Sequence, residues 1–153
     1  MRSNDFASLL LACISFALAS ACGDNQDEAG ARDLLGDIHA QGYRGWERAP
    51  GWPARHASDG PHGGEVDIYV NEVVADALAA GEPLGTLPLG SVIAKDGWDG
   101  SELEHIAVMQ KRSDGWFWAE YDGDGEPSYS GHPDVCTDCH RRGGDFVLSF
   151  RVP

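Results

Sequence analysis

The chain has 153 residues, with 25 acidic against 11 basic side chains and a formal net charge of −14 at pH 7. That length bounds it to one domain with terminal extras. The charge repels nucleic acid and anionic lipid, which excludes both as binding partners and leaves solubility, or the steering of a basic partner, as its meaning.

Met1-Arg2 precede an apolar run from Phe6 to Ala21 that ends in small residues. The run is too short for a comfortable membrane span and reads as a signal-peptide core, so residues 1–21 are expected to leave on export. Ala19-Ser20-Ala21 suits ordinary signal peptidase; followed by Cys22 it also resembles a bacterial lipobox, with Ala19 where Leu is usual. An acylated Cys22 would be the only attachment to a membrane. The expected location is therefore periplasmic, as a free protein or a membrane-anchored lipoprotein. Residues 22–32 are polar and acidic and read as a flexible tether, followed by one domain over residues 33–153.

Leu34, Leu35 and Ile38 fall at helical spacing and predict a short helix from about Ala31 to Gln41. Gly42 to Gly64 is rich in Gly, Pro, Trp and Arg and reads as loop, with Trp46 and Trp52 as packing anchors. Glu65 to Asn71 alternates as a half-buried strand, and Asn71 caps a predicted helix reaching Ala80. Ser91–Asp96, Leu103–Arg112 and Trp116–Tyr121 are predicted strands, the last two joined in a hairpin at Ser113-Asp114-Gly115. Asp122 to Glu126 reads as an exposed acidic turn, since it lacks the ligand pattern of an EF-hand. A last strand is predicted from Asp145 to Val152.

Between these lies Cys136-Thr137-Asp138-Cys139-His140, the C-x-x-C-H attachment sequence of c-type haem. On a helical turn, residues three apart share a face, so Cys136 and Cys139 can reach two vinyl groups of one porphyrin edge. His140 then lies under the ring as proximal iron ligand. A thioredoxin-like reading lacks the strand–motif–long-helix setting, because the motif follows a Gly/Pro/Ser-rich stretch that reads as loop and Gly143-Gly144 stops any helix within a turn. A zinc reading lacks a second ligand pair. Export and haem attachment support one another, because bacterial haem ligation is completed outside the cytoplasm. The expected fold is α+β, a mainly antiparallel β-sheet with a few short helices packing one covalently attached haem c.

The function depends on the sixth iron position. Met109 falls on an alternating strand face with Leu103 and Ala107 and reads as core, while His56, His62, His105 and His132 lie in loops or at a polar strand position and read as groups at the surface or behind the site rather than as iron ligands. An open distal position is thus the preferred reading, with a six-coordinate electron-transfer cytochrome as an alternative. Lys95 interrupts an apolar strand on the same face as Ile93; by itself it reads as an edge-strand lysine that discourages aggregation.

The order and spacing of several stretches resemble the cytochrome P-460 family, which includes cytochrome c-prime-beta. They are Tyr43-Arg44-Gly45-Trp46, His62-Gly63, Val66 to Asn71, Gly90 to Asp96, Val108 to Arg112, Trp116 to Tyr121, the haem motif, and Gly143 to Val147. The resemblance implies a five-coordinate haem in a mainly β fold, commonly dimeric. It also implies hydroxylamine oxidation, with electrons passed to an acceptor such as another cytochrome, and maps a haem-cross-linking lysine onto Lys95. The c-prime-beta branch instead implies non-enzymatic binding of nitric oxide or carbon monoxide without the cross-link. Some members place a carboxylate over the iron from the stretch before the haem motif; here Tyr129 to Asp134 offers Ser130, His132 and Asp134 but no Glu. Glu120 and Glu126 are the outside candidates for that base.

Overall fold

Residues 26–81 and 83–153 are described by the computed structural model, so the predicted signal segment and Cys22 lie outside the described residues. Helix α1 (Glu28–Ala40) is followed by a 3-10 turn at Tyr43–Gly45 and two short strands, β1 (Glu47–Arg48) and β2 (His56–Ala57). Then come β3 (Glu65–Val70), α2 (Glu72–Ala79), β4 (Val92–Asp99), β5 (Glu102–Arg112), β6 (Gly115–Asp122), β7 (Pro127–Gly131) and α3 (Asp134–His140). The strands form one antiparallel sheet in the order β1-β3-β4-β5-β6-β7, with β2 also pairing to β3.

Side chains alternate across a strand, so the sheet separates two apolar layers. Val66, Ile68, Val70, Ile93, Met109, Trp116 and Trp118 point to the front, where Val74 of α2 and the C-terminal Val147, Phe150 and Val152 join them. Tyr69, Val92, Ala94, Val108, Phe117, Ala119 and Tyr121 point to the back, covered by Ala31, Leu34 and Ile38 of α1. Helix α1 starts before the predicted Ala31 because the Asp27 side chain accepts from the Gly30 N–H and caps it there. It therefore takes up the end of the segment read as tether. The Asn71 cap is as predicted, its Oδ1 accepting from Val74 N.

Two differences from the predicted elements have local causes. The stretch before the haem motif contains β7, an edge strand whose first residue is Pro127, a position at which the missing N–H costs no ladder bond. The predicted strand from Asp145 to Val152 does not form. Asp145 (φ 50°) and Phe146 (φ 64°) are left-handed, and only an isolated bridge between Gly144 and Val147 remains.

Asp67 and Asp96 stand directly opposite one another on β3 and β4, both buried on the back of the sheet. Like charges so placed repel, and each is answered by its own donors. Asp67 meets Arg48 (2.5 Å) and Arg55 (3.2 Å); Asp96 accepts from Arg44 Nε (2.6 Å) and from the Tyr43 hydroxyl (2.5 Å). Burial works against ionised Asp67, but the two guanidiniums outweigh it and hold its carboxyl below the ordinary range. A depressed carboxyl stabilises the fold above its unfolded-state value and loses that contribution as the pH falls through its folded-state value. Asp67→Asn is expected to cost about 2 kcal/mol at pH 7, with the gap to wild type closing in acid. Urea unfolding of both proteins at neutral and acidic pH measures it.

Candidate functional site

The front of the sheet is hollow where the alternation places a small residue. Ile68, Lys95, Ala107, Glu120 and Tyr129 lie side by side across β3 to β7. Ala107, with one methyl, separates Lys95 from Glu120, whose strands are roughly 10 Å apart. The next row, Ile93, Met109 and Trp118, forms an apolar wall. Above them a cavity of about 540 Å³ is closed by Trp52, His62, Cys136, Cys139, His140 and Leu148 among others.

Cys136, Cys139 and His140 all reach this cavity from α3. The helix is short because Pro133 precedes it, offering its carbonyl to Cys136 N (3.1 Å) and Thr137 N (3.1 Å), and Gly143-Gly144 follow it. The His140 ring meets the Trp118 ring edge-on at 4.6 Å. Its Nδ1 donates to the Phe146 carbonyl (2.8 Å), so the lone pair is on Nε2. Burial pushes the imidazole below its ordinary value, with the Phe146 hydrogen bond acting in the other direction.

Lys95 faces the cavity on the same side as Ile93, as the alternation predicts, and burial drives its amine below the ordinary lysine range against the pull of Glu120 and Cys139. Glu120 is the one carboxylate among the lining residues. Its Oε2 lies 3.0 Å from His62 Nδ1 and its Oε1 3.9 Å from His105 Nδ1. His62 Nδ1 is buried, and the approach to Glu120 is off the line of a hydrogen bond, so that nitrogen has no hydrogen-bond partner among the described residues.

His62 therefore lines the site beside Glu120, the second of the two placements, surface or behind the iron ligands, that its loop setting leaves open. Its loop crosses β4 at Gly97, where a Cβ would fall 1.8 Å from the His62 carbonyl oxygen. Gly63, at φ +110°, is also tight, since a Cβ there would fall 2.7 Å from Gly97 Cα. The two glycines were the available signal, since only bare backbone permits this crossing.

The other candidates separate cleanly. Met109 packs between Ile93 and Trp118 in the front core while also lining the cavity. Glu126 is away from it on the surface, gripped at both oxygens by Arg32 (3.1 and 2.8 Å). Ser130 is buried and accepts from Asp27 N, while His56, His132 and Asp134 are exposed.

The donor set suits a c-type haem: two thiols one helical turn apart, an imidazole with its Nε2 lone pair free, and apolar indole and thioether walls. The Cytochrome P460 family model matches residues 40–147, a span that contains the sheet, the cavity row and the haem motif. No curated protein and no solved structure matches the chain.

Ala107→Leu places a branched side chain in the gap between Lys95 and Glu120. The domain is expected to fold with haem content several-fold below wild type, read from haem absorbance per mole of chain; unchanged loading would show that the gap is not where the porphyrin lies.

Proposed function

This chain belongs to the cytochrome P460 family, and from that premise we propose an exported mono-haem c-type cytochrome with an open coordination position that oxidises hydroxylamine and hands the electrons to an external acceptor such as another cytochrome. One observation carries this reading: the haem-attachment triad and a polar set of Lys95, Glu120 and His62 line the same cavity.

The haem, when bound, supplies a redox-active iron with a position for a small nitrogenous ligand. Cys136 and Cys139 hold the porphyrin through thioethers, and His140 offers Nε2 to the iron. Glu120 accepts a proton from the substrate, a general-base role worth about 10²–10⁴ in rate. His62, 3.0 Å from the carboxylate, is the nearest titratable neighbour, and it would take that proton once its ring turns into line with Glu120. Lys95 would supply the amine for the covalent link to the porphyrin that the family resemblance implies, a reading supported by burial, which favours its neutral form. Trp118, Met109 and Ile93 exclude water from the cavity. Export rests on residues 1–21, and a lipid on Cys22 would hold the protein at a membrane.

The apolar walls favour a second reading, a non-enzymatic binder of nitric oxide or carbon monoxide. Four measurements on the haem-loaded protein decide. In the reduced absorption spectrum, a strongly red-shifted Soret band is expected for a cross-linked haem, and a low-spin six-coordinate spectrum at rest would overturn both readings. In a tryptic map, the haem peptide is expected to carry the Lys95 peptide, and to lose it in Lys95→Ala. With hydroxylamine and an artificial oxidant, Glu120→Gln is expected to lower turnover by about 10²–10⁴ at unchanged haem content. Nitric oxide binding without wild-type turnover leaves only the second reading.

A further inference from the structure

The segment just after the haem motif is held in an unusual shape by a charge from elsewhere in the fold. Asp145 and Phe146 are consecutive non-glycine residues with φ of 50° and 64°, in the left-handed region that L side chains adopt at a cost. Gly143, two residues before Asp145, has no room for a side chain, since a Cβ there would fall 2.0 Å from the Val147 carbonyl oxygen. The turn is closed by Phe146 N to Gly143 O (3.2 Å) and Val147 N to Gly144 O (3.0 Å).

The Asp145 carboxylate ties this turn to the sheet. It accepts from Lys111 Nζ (2.5 Å) on β5, from Trp116 Nε1 (3.3 Å) on β6 and from Leu87 N (2.8 Å) in the loop before β4. The Lys111 and Asp145 side chains are only 16% and 5% exposed, so water competes weakly for either. Lys111 Nζ also lies 4.9 Å from the Trp116 ring centroid, and the cation is thereby fixed on two sides. The outcome is one directed carbonyl: Phe146 O points at His140 Nδ1 and accepts from it at 2.8 Å.

Resting on the reading of His140 as the iron ligand, we infer that Asp145, clamped by Lys111, is the positioning residue that sets the hydrogen bond on that ligand and so its donor strength toward iron. A hydrogen bond from Nδ1 to a carbonyl fixes the tautomer and ring orientation and raises the basicity of the other nitrogen. A more basic ligand favours the ferric state. Asp145 touches neither cofactor nor substrate; it acts through the Phe146 carbonyl.

The test uses the haem-loaded full chain. Asp145→Gly removes the carboxylate while relaxing the left-handed strain, and Lys111→Met removes the clamp while leaving the turn sequence intact. Asp145→Gly is expected to shift the redox equilibrium about tenfold toward the ferrous form, a potential raised by about 59 mV for one electron. The iron–histidine stretching band of the reduced protein is expected at lower frequency, with haem content unchanged. Lys111→Met is expected to move both readouts the same way, and Asp145→Asn, which keeps an acceptor oxygen and tolerates positive φ, to recover part of the shift. Wild-type potential and band position in Asp145→Gly overturn the inference; should that variant fail to fold, unshifted values in Lys111→Met do so. A five-coordinate ferrous wild-type protein with no iron–histidine band overturns the ligand assignment itself, an outcome distinct from an unshifted variant.

Discussion

Two adjacent charged residues on one strand, Lys95 and Asp96, are directed to opposite sides of the sheet, and the rest of the molecule is arranged around that pair. On the back, Asp96 is fully buried and satisfied by Arg44 and the Tyr43 hydroxyl. These partners come from the turn after α1, so the helix, the turn and β4 are locked in one register. On the front, Lys95 meets a cavity with no comparable partner and loses part of its hold on the proton. A one-residue slip of β4 would exchange these environments, burying an unpaired ammonium in the back core and placing a carboxylate in the cavity. The ion cluster on the back thus guarantees which group the front presents.

Much of this was legible in the chain. The haem motif is local chemistry, and period-2 alternation puts Lys95 with Ile93 without reference to any other strand. The hairpin at Ser113-Asp114-Gly115 and the Asn71 cap follow from short-range preferences that packing did not override. Glu120 was a candidate among several because its cross-strand neighbours depend on register. Only the pairing of Ala107 with both Lys95 and Glu120 shows that the two charged groups share one hollow.

The misses have the same origin. A Gly/Pro/Ser-rich stretch reads as loop, but Ser130 is tied by Gln26 and Asp27 at the other end of the domain, and such long-range bonds stabilise β7 as an edge. The terminal strand failed because the carboxylate of Asp145 has three donors in the sheet, and serving them requires left-handed backbone that no ladder accepts. Which of its two placements His62 takes was not legible, because nothing in its neighbourhood announces that its loop is pressed onto Gly97.

That crossing at Gly97 has a consequence for how the site can diversify. Because main chain rests on main chain there, the headroom over the inner end of the hollow is a fixed dimension of the scaffold, with no rotamer to yield and no side chain to trim. Variation in the size of guest admitted is left to the floor and the apolar wall, Ala107, Ile93 and Met109. Selection acting on this pocket would carve it from below, while its ceiling stayed as the fold built it.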